Sequence, residues 1–131
     1  MKKYIIILFS IFFSNAIFAQ KNDMIVRISE VEIEPSFLKE YLDILNEEAS
    51  ASVKLEPGVI SIFPMFQKEN HNQIRILEIY ADKSAYESHL KTPHFLKYKT
   101  TTIKMVKSLK LIDMEASDTI TMKEIFKKIQ K

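Results

Sequence analysis

The run Glu78-Ile79-Tyr80-Ala81-Asp82-Lys83-Ser84-Ala85-Tyr86-Glu87-Ser88-His89-Leu90-Lys91-Thr92-Pro93-His94-Phe95 decides the fold. It opens as the end of a strand, because Ile74, Ile76, Glu78 and Tyr80 alternate with Arg75, Leu77, Ile79 and Ala81. Asp82 is placed to cap a helix on which Ala85, Tyr86, His89 and Leu90 recur at helical spacing. Pro93 drives Thr92 out of the α region, so this helix is expected to stop at about Lys91. Thr92 can then cap a second helix with Pro93 at its first position, which puts His94 in the first turn. Two of the three histidines thus bracket one helix break, beside a strand end that carries Glu78 and Tyr80.

Upstream, Met24 to Ile33 alternates as a strand, with Ile25, Arg27, Ser29, Val31 and Ile33 on one face. Pro35 opens a helix whose Phe37, Leu38, Tyr41, Leu42, Leu45, Ala49 and Val53 recur at three- and four-residue spacing. Glu56-Pro57-Gly58 ends it. Gly58 is the only glycine and follows a proline, which predicts a type II turn with positive φ. Val59 to Gln67 reads as a second strand, with Ile60, Ile62 and Phe66 against Val59, Phe63 and Met65. Pro64 in its middle predicts an edge position or a bulge. Residues 68–72 form a polar hairpin loop leading to the strand at Ile74. Downstream, the helix after Pro93 runs to about Lys104, and Lys107 to Met114 is a fourth strand.

This is the βαββαβ order of a ferredoxin-like α+β sandwich. The Val59 and Ile74 strands are apolar on both faces, yet helices can cover only one. A homodimer, with a second sheet on the open face, is the expected completion.

Three segments are expected: a signal peptide over residues 1–19, the α+β domain over 20–115, and an amphipathic helical tail over 116–131. Lys2 and Lys3 precede an apolar run from Tyr4 to Phe13, and Ala19 offers a small residue at the cut. The run is too short to span a bilayer comfortably. Export to the periplasm, with no stable membrane association after cleavage, is therefore expected. Without Lys2 and Lys3 the 19 basic residues fall to 17, equal to the 17 acidic ones. That balance gives no support to nucleic acid as a partner. The absence of cysteine excludes disulfides and thiol catalysis.

Most catalytic signatures are missing. One glycine cannot make a phosphate loop, and there is no His-Glu-x-x-His or Gly-x-Ser-x-Gly. His89 and His94 are five apart across a helix break, a spacing with no metal preference, so no metal site is expected. A metal there would need a carboxylate from elsewhere in the chain. His89 shares a helical face with Tyr86 and Leu90 and points inward. It reads either as a general base or as a core histidine bonded to a carbonyl. His94 reads as a ligand contact or a partly exposed capping residue. Tyr80 and Phe95 would suit a flat apolar ligand or a plain core. Glu78, between Ile76 and Tyr80 on an inward strand face, needs a partner, for which Arg27 or a lysine is available.

Glu56-Pro57-Gly58, the strand end Glu78-Ile79-Tyr80, and Ala85-x-x-x-His89-x-x-Thr92-Pro93-His94-Phe95 together resemble the antibiotic biosynthesis monooxygenase superfamily. The resemblance covers roughly Met24 to Met114. It implies a dimeric α+β barrel with a pocket between sheet and helices in each subunit. Characterised members of the family include cofactor-independent monooxygenases of quinols and polycyclic phenols, haem-degrading enzymes and a sugar-phosphate isomerase. The asparagine, tryptophan and histidine of the haem-degrading branch align with Ser29, His89 and Lys99, so haem degradation is not implied. The isomerase branch needs a sugar phosphate, which is not expected outside the cytoplasm. Tyr80 stands where tryptophan is common. The expected activity is oxygenation of a small aromatic quinol or phenol by O₂ with no cofactor. His89 would be the base, with Ser29, Glu78, Tyr80, His94 and Phe95 around the substrate. The alternative is a non-catalytic barrel that binds an apolar ligand or only assembles, with His89 bonded to backbone and no cavity.

Overall fold

The computed structural model describes residues 23–130; the expected signal peptide lies outside the described residues. The chain runs β1 (Ile25–Ile33), a 3₁₀ turn (Pro35–Phe37), α1 (Leu38–Leu55), β2 (Val59–Phe66) and β3 (Gln73–Tyr80). It continues through α2 (Lys83–His89), α3 (Pro93–Thr102), a second 3₁₀ turn (Ile103–Met105), β4 (Val106–Met114) and α4 (Ile120–Ile129). The sheet is antiparallel throughout, in the order β2-β3-β1-β4. That is the ferredoxin-like α+β arrangement. Pro64 lies in β2, an edge strand, where a missing donor can face solvent.

The two-helix corner is built by local chemistry. The Asp82 carboxylate accepts a hydrogen bond from the Ala85 amide at 2.7 Å and so starts α2. Thr92 is extended, accepts from the Phe95 amide at 3.3 Å, and has Pro93 behind it to start α3. α2 ends at His89, two residues before the expected stop, and the Lys91 and Thr92 amides close the break on Ser88 and His89 carbonyls.

Sheet register then decides which side chains meet. Ile25, Arg27 and Ser29 of β1 lie opposite Tyr80, Glu78 and Ile76 of β3. Their shared face packs under α1, where Tyr41, Leu45 and Ala49 meet Val31, Ile33, Ile74, Ile76 and Tyr80 in the core. Each large side chain fully buried there contributes on the order of 1.5–3 kcal/mol.

Three expectations are corrected. Val59 was expected on the face of Phe63 and Met65. The register of β2 on β3 slips between Val59 and Ser61, turning Val59 to the side of Ile62. Val59 is therefore buried, whereas Phe63 is 58% exposed. Val53 does not continue the core stripe of α1 and is exposed; Glu48 and Ser52 continue it instead. Gly58 has no positive φ, and neither has any other described residue. What requires glycine is space, because a Cβ at residue 58 would overlap the Cβ of Ala85 on α2.

On the opposite sheet face, Phe63, Leu77 and Ile79 form an apolar groove of about 720 Å³ with Met122, Ile125 and Phe126 of α4.

Gly58→Ala is expected to lower stability by about 1–3 kcal/mol, the usual cost of overpacking, as read from urea midpoints. Adding Ala85→Gly should restore most of the loss. A Gly58→Ala protein as stable as the parent would show that α2 yields freely.

Candidate functional site

A cavity of about 370 Å³ lies between the inner sheet face and helices α1–α3. Ser29, Glu78, Tyr80, His89 and Phe95 all line it. His94 does not: its ring lies beyond His89, against Glu56, with centroids 6.4 Å apart.

Glu78 is satisfied by neutral donors. The Tyr80 hydroxyl donates to one carboxylate oxygen at 2.7 Å, and the Ser29 hydroxyl makes a short bond to the other. Arg27 was the expected partner and stands directly across the sheet from Glu78. Its guanidinium turns instead to Asp113 at 2.9 Å and the Tyr86 hydroxyl at 3.0 Å. Burial opposes the Arg27 charge, but these two partners hold its pKa above the ordinary value. Burial, and then the nearby Glu78 charge, raise the Tyr80 phenol far beyond its usual range, so it stays a donor.

His89 is buried to 2% and does not bond to a backbone carbonyl with its ring. Its Nδ1 lies 3.0 Å from the Glu56 Oε2, and its Nε2 lies 3.5 Å from the Glu48 Oε1. The Phe95 ring stands 4.9 Å from the imidazole and the Tyr80 ring 5.4 Å. Thr92 fixes the local backbone by donating to the His89 carbonyl at 2.8 Å. The His94 Nε2 meets the same Glu56 oxygen at 2.6 Å.

The pKa values of the two glutamates move in opposite directions. Burial raises the pKa of Glu48, and the Ser52 hydroxyl at 2.6 Å, together with the histidines, only partly offsets it. Burial also acts on Glu56, but hydrogen bonds from His94 and His89 outweigh it and hold that carboxyl below the usual range.

Glu48 and Glu56 are the residues of this candidate site that the sequence reading missed. A signal for Glu48 existed: Tyr41, Leu45, Glu48 and Ser52 follow a four-three-four spacing, so a carboxylate sits in a core stripe. Glu56 read only as punctuation before Pro57-Gly58. It is also the carboxylate from elsewhere that the histidine pair lacked in sequence. The donor atoms of Glu56, His89 and His94 all lie within 4.8 Å of one another.

Fold and cavity together define a ferredoxin-like α+β domain with a polar cluster in the wall between sheet and helices. The chain belongs to the antibiotic biosynthesis monooxygenase family, whose sequence pattern matches residues 24–101. Among solved structures it is 47% identical to a protein from Bacteroides thetaiotaomicron described as a candidate antibiotic biosynthesis monooxygenase. That match covers 73% of this chain and 91% of the other, with a TM-score of 0.72. A candidate monooxygenase from Lactobacillus acidophilus is 27% identical over 72% of this chain, with a TM-score of 0.70. The match covers only 45% of the Lactobacillus protein. One from Nitrosomonas europaea, 15% identical with a TM-score of 0.69 over 74% of this chain and 93% of that one, shares the fold. No curated protein matches the sequence.

Ser29→Ala removes one of the two hydrogen bonds that satisfy Glu78 inside the cavity. Stability should fall by about 1–3 kcal/mol in thermal melts. An unchanged melt would mean that Glu78 finds another donor at no cost.

Proposed function

We propose that this protein is a monooxygenase of a small quinol or phenol, with His89 as the general base. The observation that carries the reading is the Glu56–His89 pair at the cavity wall. Glu56 holds Nδ1 at 3.0 Å, which orients the ring and favours a proton on that nitrogen. Nε2 is then the free basic atom. At 3.5 Å from Glu48 it is only weakly engaged and open to a substrate hydroxyl.

The chemistry needs no separate reductant. When a phenol becomes a quinone, one atom of O₂ enters the ring and the other leaves as water, with all electrons drawn from the substrate. The protein has to take the hydroxyl proton, hold the ring away from water and face the phenolate with positive charge. Phe95 and Tyr80 offer ring faces, and Arg27 and Lys99 place cations on the same wall. The rival reading, a barrel without chemistry, expected no cavity and a histidine bonded to backbone. The cavity and the carboxylate partner of His89 favour the enzyme.

Water exclusion also argues for a homodimer. Leu109 and Leu111 of β4 reach the cavity yet are 58% and 52% exposed, and Phe63 and Met65 are uncovered on the other face. Sedimentation should give twice the chain mass at micromolar concentration; a stable monomer there would remove this part of the reading.

Oxygen uptake with a panel of quinols and phenols tests the activity. His89→Ala should lower turnover by roughly a hundredfold or more in protein that still folds, the usual contribution of a positioned base, although loss of its bond to Glu56 lowers the melting point. Raising the pH should partly rescue it, because a phenol then ionises unaided. An active His89→Ala protein with a lowered melting point would make His89 scaffold and overturn its assignment as base.

A further inference from the structure

We propose that Glu56, His89 and His94 form a binding site for one divalent transition-metal cation, set behind the cavity rather than in it. Two imidazole nitrogens and one carboxylate oxygen are a donor set suited to zinc, cobalt or iron(II), with coordination positions left for water. The three residues come from separate segments: Glu56 caps the end of α1, His89 ends α2, and His94 stands in the first turn of α3. Rigid helix ends are better mounts for ligands than loops.

Distances fit with little adjustment. Zinc–nitrogen and zinc–oxygen bonds of about 2.0–2.2 Å in a tetrahedron put neighbouring donor atoms about 3.3 Å apart. The Glu56 oxygen lies 3.0 Å from the His89 Nδ1 and 2.6 Å from the His94 Nε2. Opening these contacts by about 0.3 and 0.7 Å, and bringing the two nitrogens, which lie within 4.8 Å of each other, to the same spacing makes room for the ion between them. Both histidines turn to the same Glu56 oxygen, which gathers the three donor atoms within 4.8 Å of one another.

A second observation concerns the other side of His89. Its Nε2 faces Glu48, which in turn accepts from Ser52 at 2.6 Å. A metal-ligating histidine is usually oriented by a carboxyl group on its far nitrogen, and Glu48, 3.5 Å away, is the group placed to close on Nε2 once that nitrogen carries the proton. An entry route exists as well: Glu56 also lines an outer cleft of about 390 Å³ with Pro57, Ser88 and Thr92.

The position separates this metal from oxygen chemistry. Nδ1 carries the ion and Nε2 looks toward Glu48 and the cavity, so the imidazole ring stands between metal and substrate. Metal on Nδ1 leaves the proton on Nε2, which then cannot accept one from substrate. The cation would be an off-switch, a consequence that rests on His89 being the base; the metal site itself does not.

The test is calorimetric titration of the chelator-stripped full chain with Zn²⁺ alone, with Co²⁺ absorption as a second readout. One ion per chain is expected, with visible Co²⁺ bands. His94→Ala and Glu56→Gln should abolish both, and Glu48→Gln should weaken binding by roughly 10–100-fold, as loss of an outer partner does. His71→Ala, on the hairpin, should bind as the parent does. His94 is partly exposed, so His94→Ala is expected to stay folded and keep the comparison valid. No binding by the parent, or undiminished binding by His94→Ala, would overturn the site and leave only a hydrogen-bonded cluster. Calorimetry reads the metal whether or not any quinol is turned over, so the two readings fail separately.

Discussion

One carboxylate, Glu56, holds the ends of three helices together. It sits at the C-cap of α1 and accepts from His89 at the end of α2 and from His94 at the start of α3. α2 has 7 residues and α3 has 10. Helices shorter than roughly 12–15 residues do not hold themselves up in water. Their caps start them, but caps do not say where the helices sit. Hydrogen bonds to a charged group, on the order of 1.5–3 kcal/mol each, are strong enough to fix that. Most of the cavity wall facing the sheet follows, since Tyr86, His89, Phe95 and Tyr98 are all carried on those two helices.

What was legible in the sequence was local. Asp82, Thr92 and Pro93 act within a turn of themselves, so the break between α2 and α3 could be read from residue types alone. Strand alternation placed Ser29, Glu78 and Tyr80 on inward faces, and Pro64 marked an edge. The failures at the site were long-range. Glu56 finds its histidines 33 and 38 residues away. Glycine at 58 is required by a side chain of α2, a contact that turn chemistry does not encode. Arg27 was read as an available partner of Glu78 and does lie opposite it in register, yet Asp113 of the neighbouring strand and Tyr86 of α2 took the guanidinium. Opposite charges on one face need not pair where neutral donors reach the carboxylate first.

The glutamates along this wall differ in their donors, and for Glu48 and Glu56 the pKa moves in opposite directions. Glu78 has a serine and a tyrosine donor, Glu48 a serine and a distant imidazole edge, and Glu56 two imidazoles. The two imidazoles outweigh the burial of Glu56 and hold its pKa down. Glu48 is deeper and has fewer strong donors, so its neutral form is favoured. His89 lies between these two and touches each with a different nitrogen. Its two edges therefore have different partners, and a proton or an ion on one edge dictates what the other can do.

The fourth strand links this chemistry to assembly. Three helices cover β2, β3 and β1, and they run out before β4. Leu109 and Leu111 consequently point toward the cavity with more than half their surface in solvent. Attraction between the imidazolium and the phenolate that proton transfer creates is weakened by free access of water. On a single chain the cavity is walled by sheet and helices on one side and open along β4. The apolar residues along that strand are those that a covering surface would need. Under the proposed function, whatever shields Leu109 and Leu111 also dries the pocket in which His89 would work.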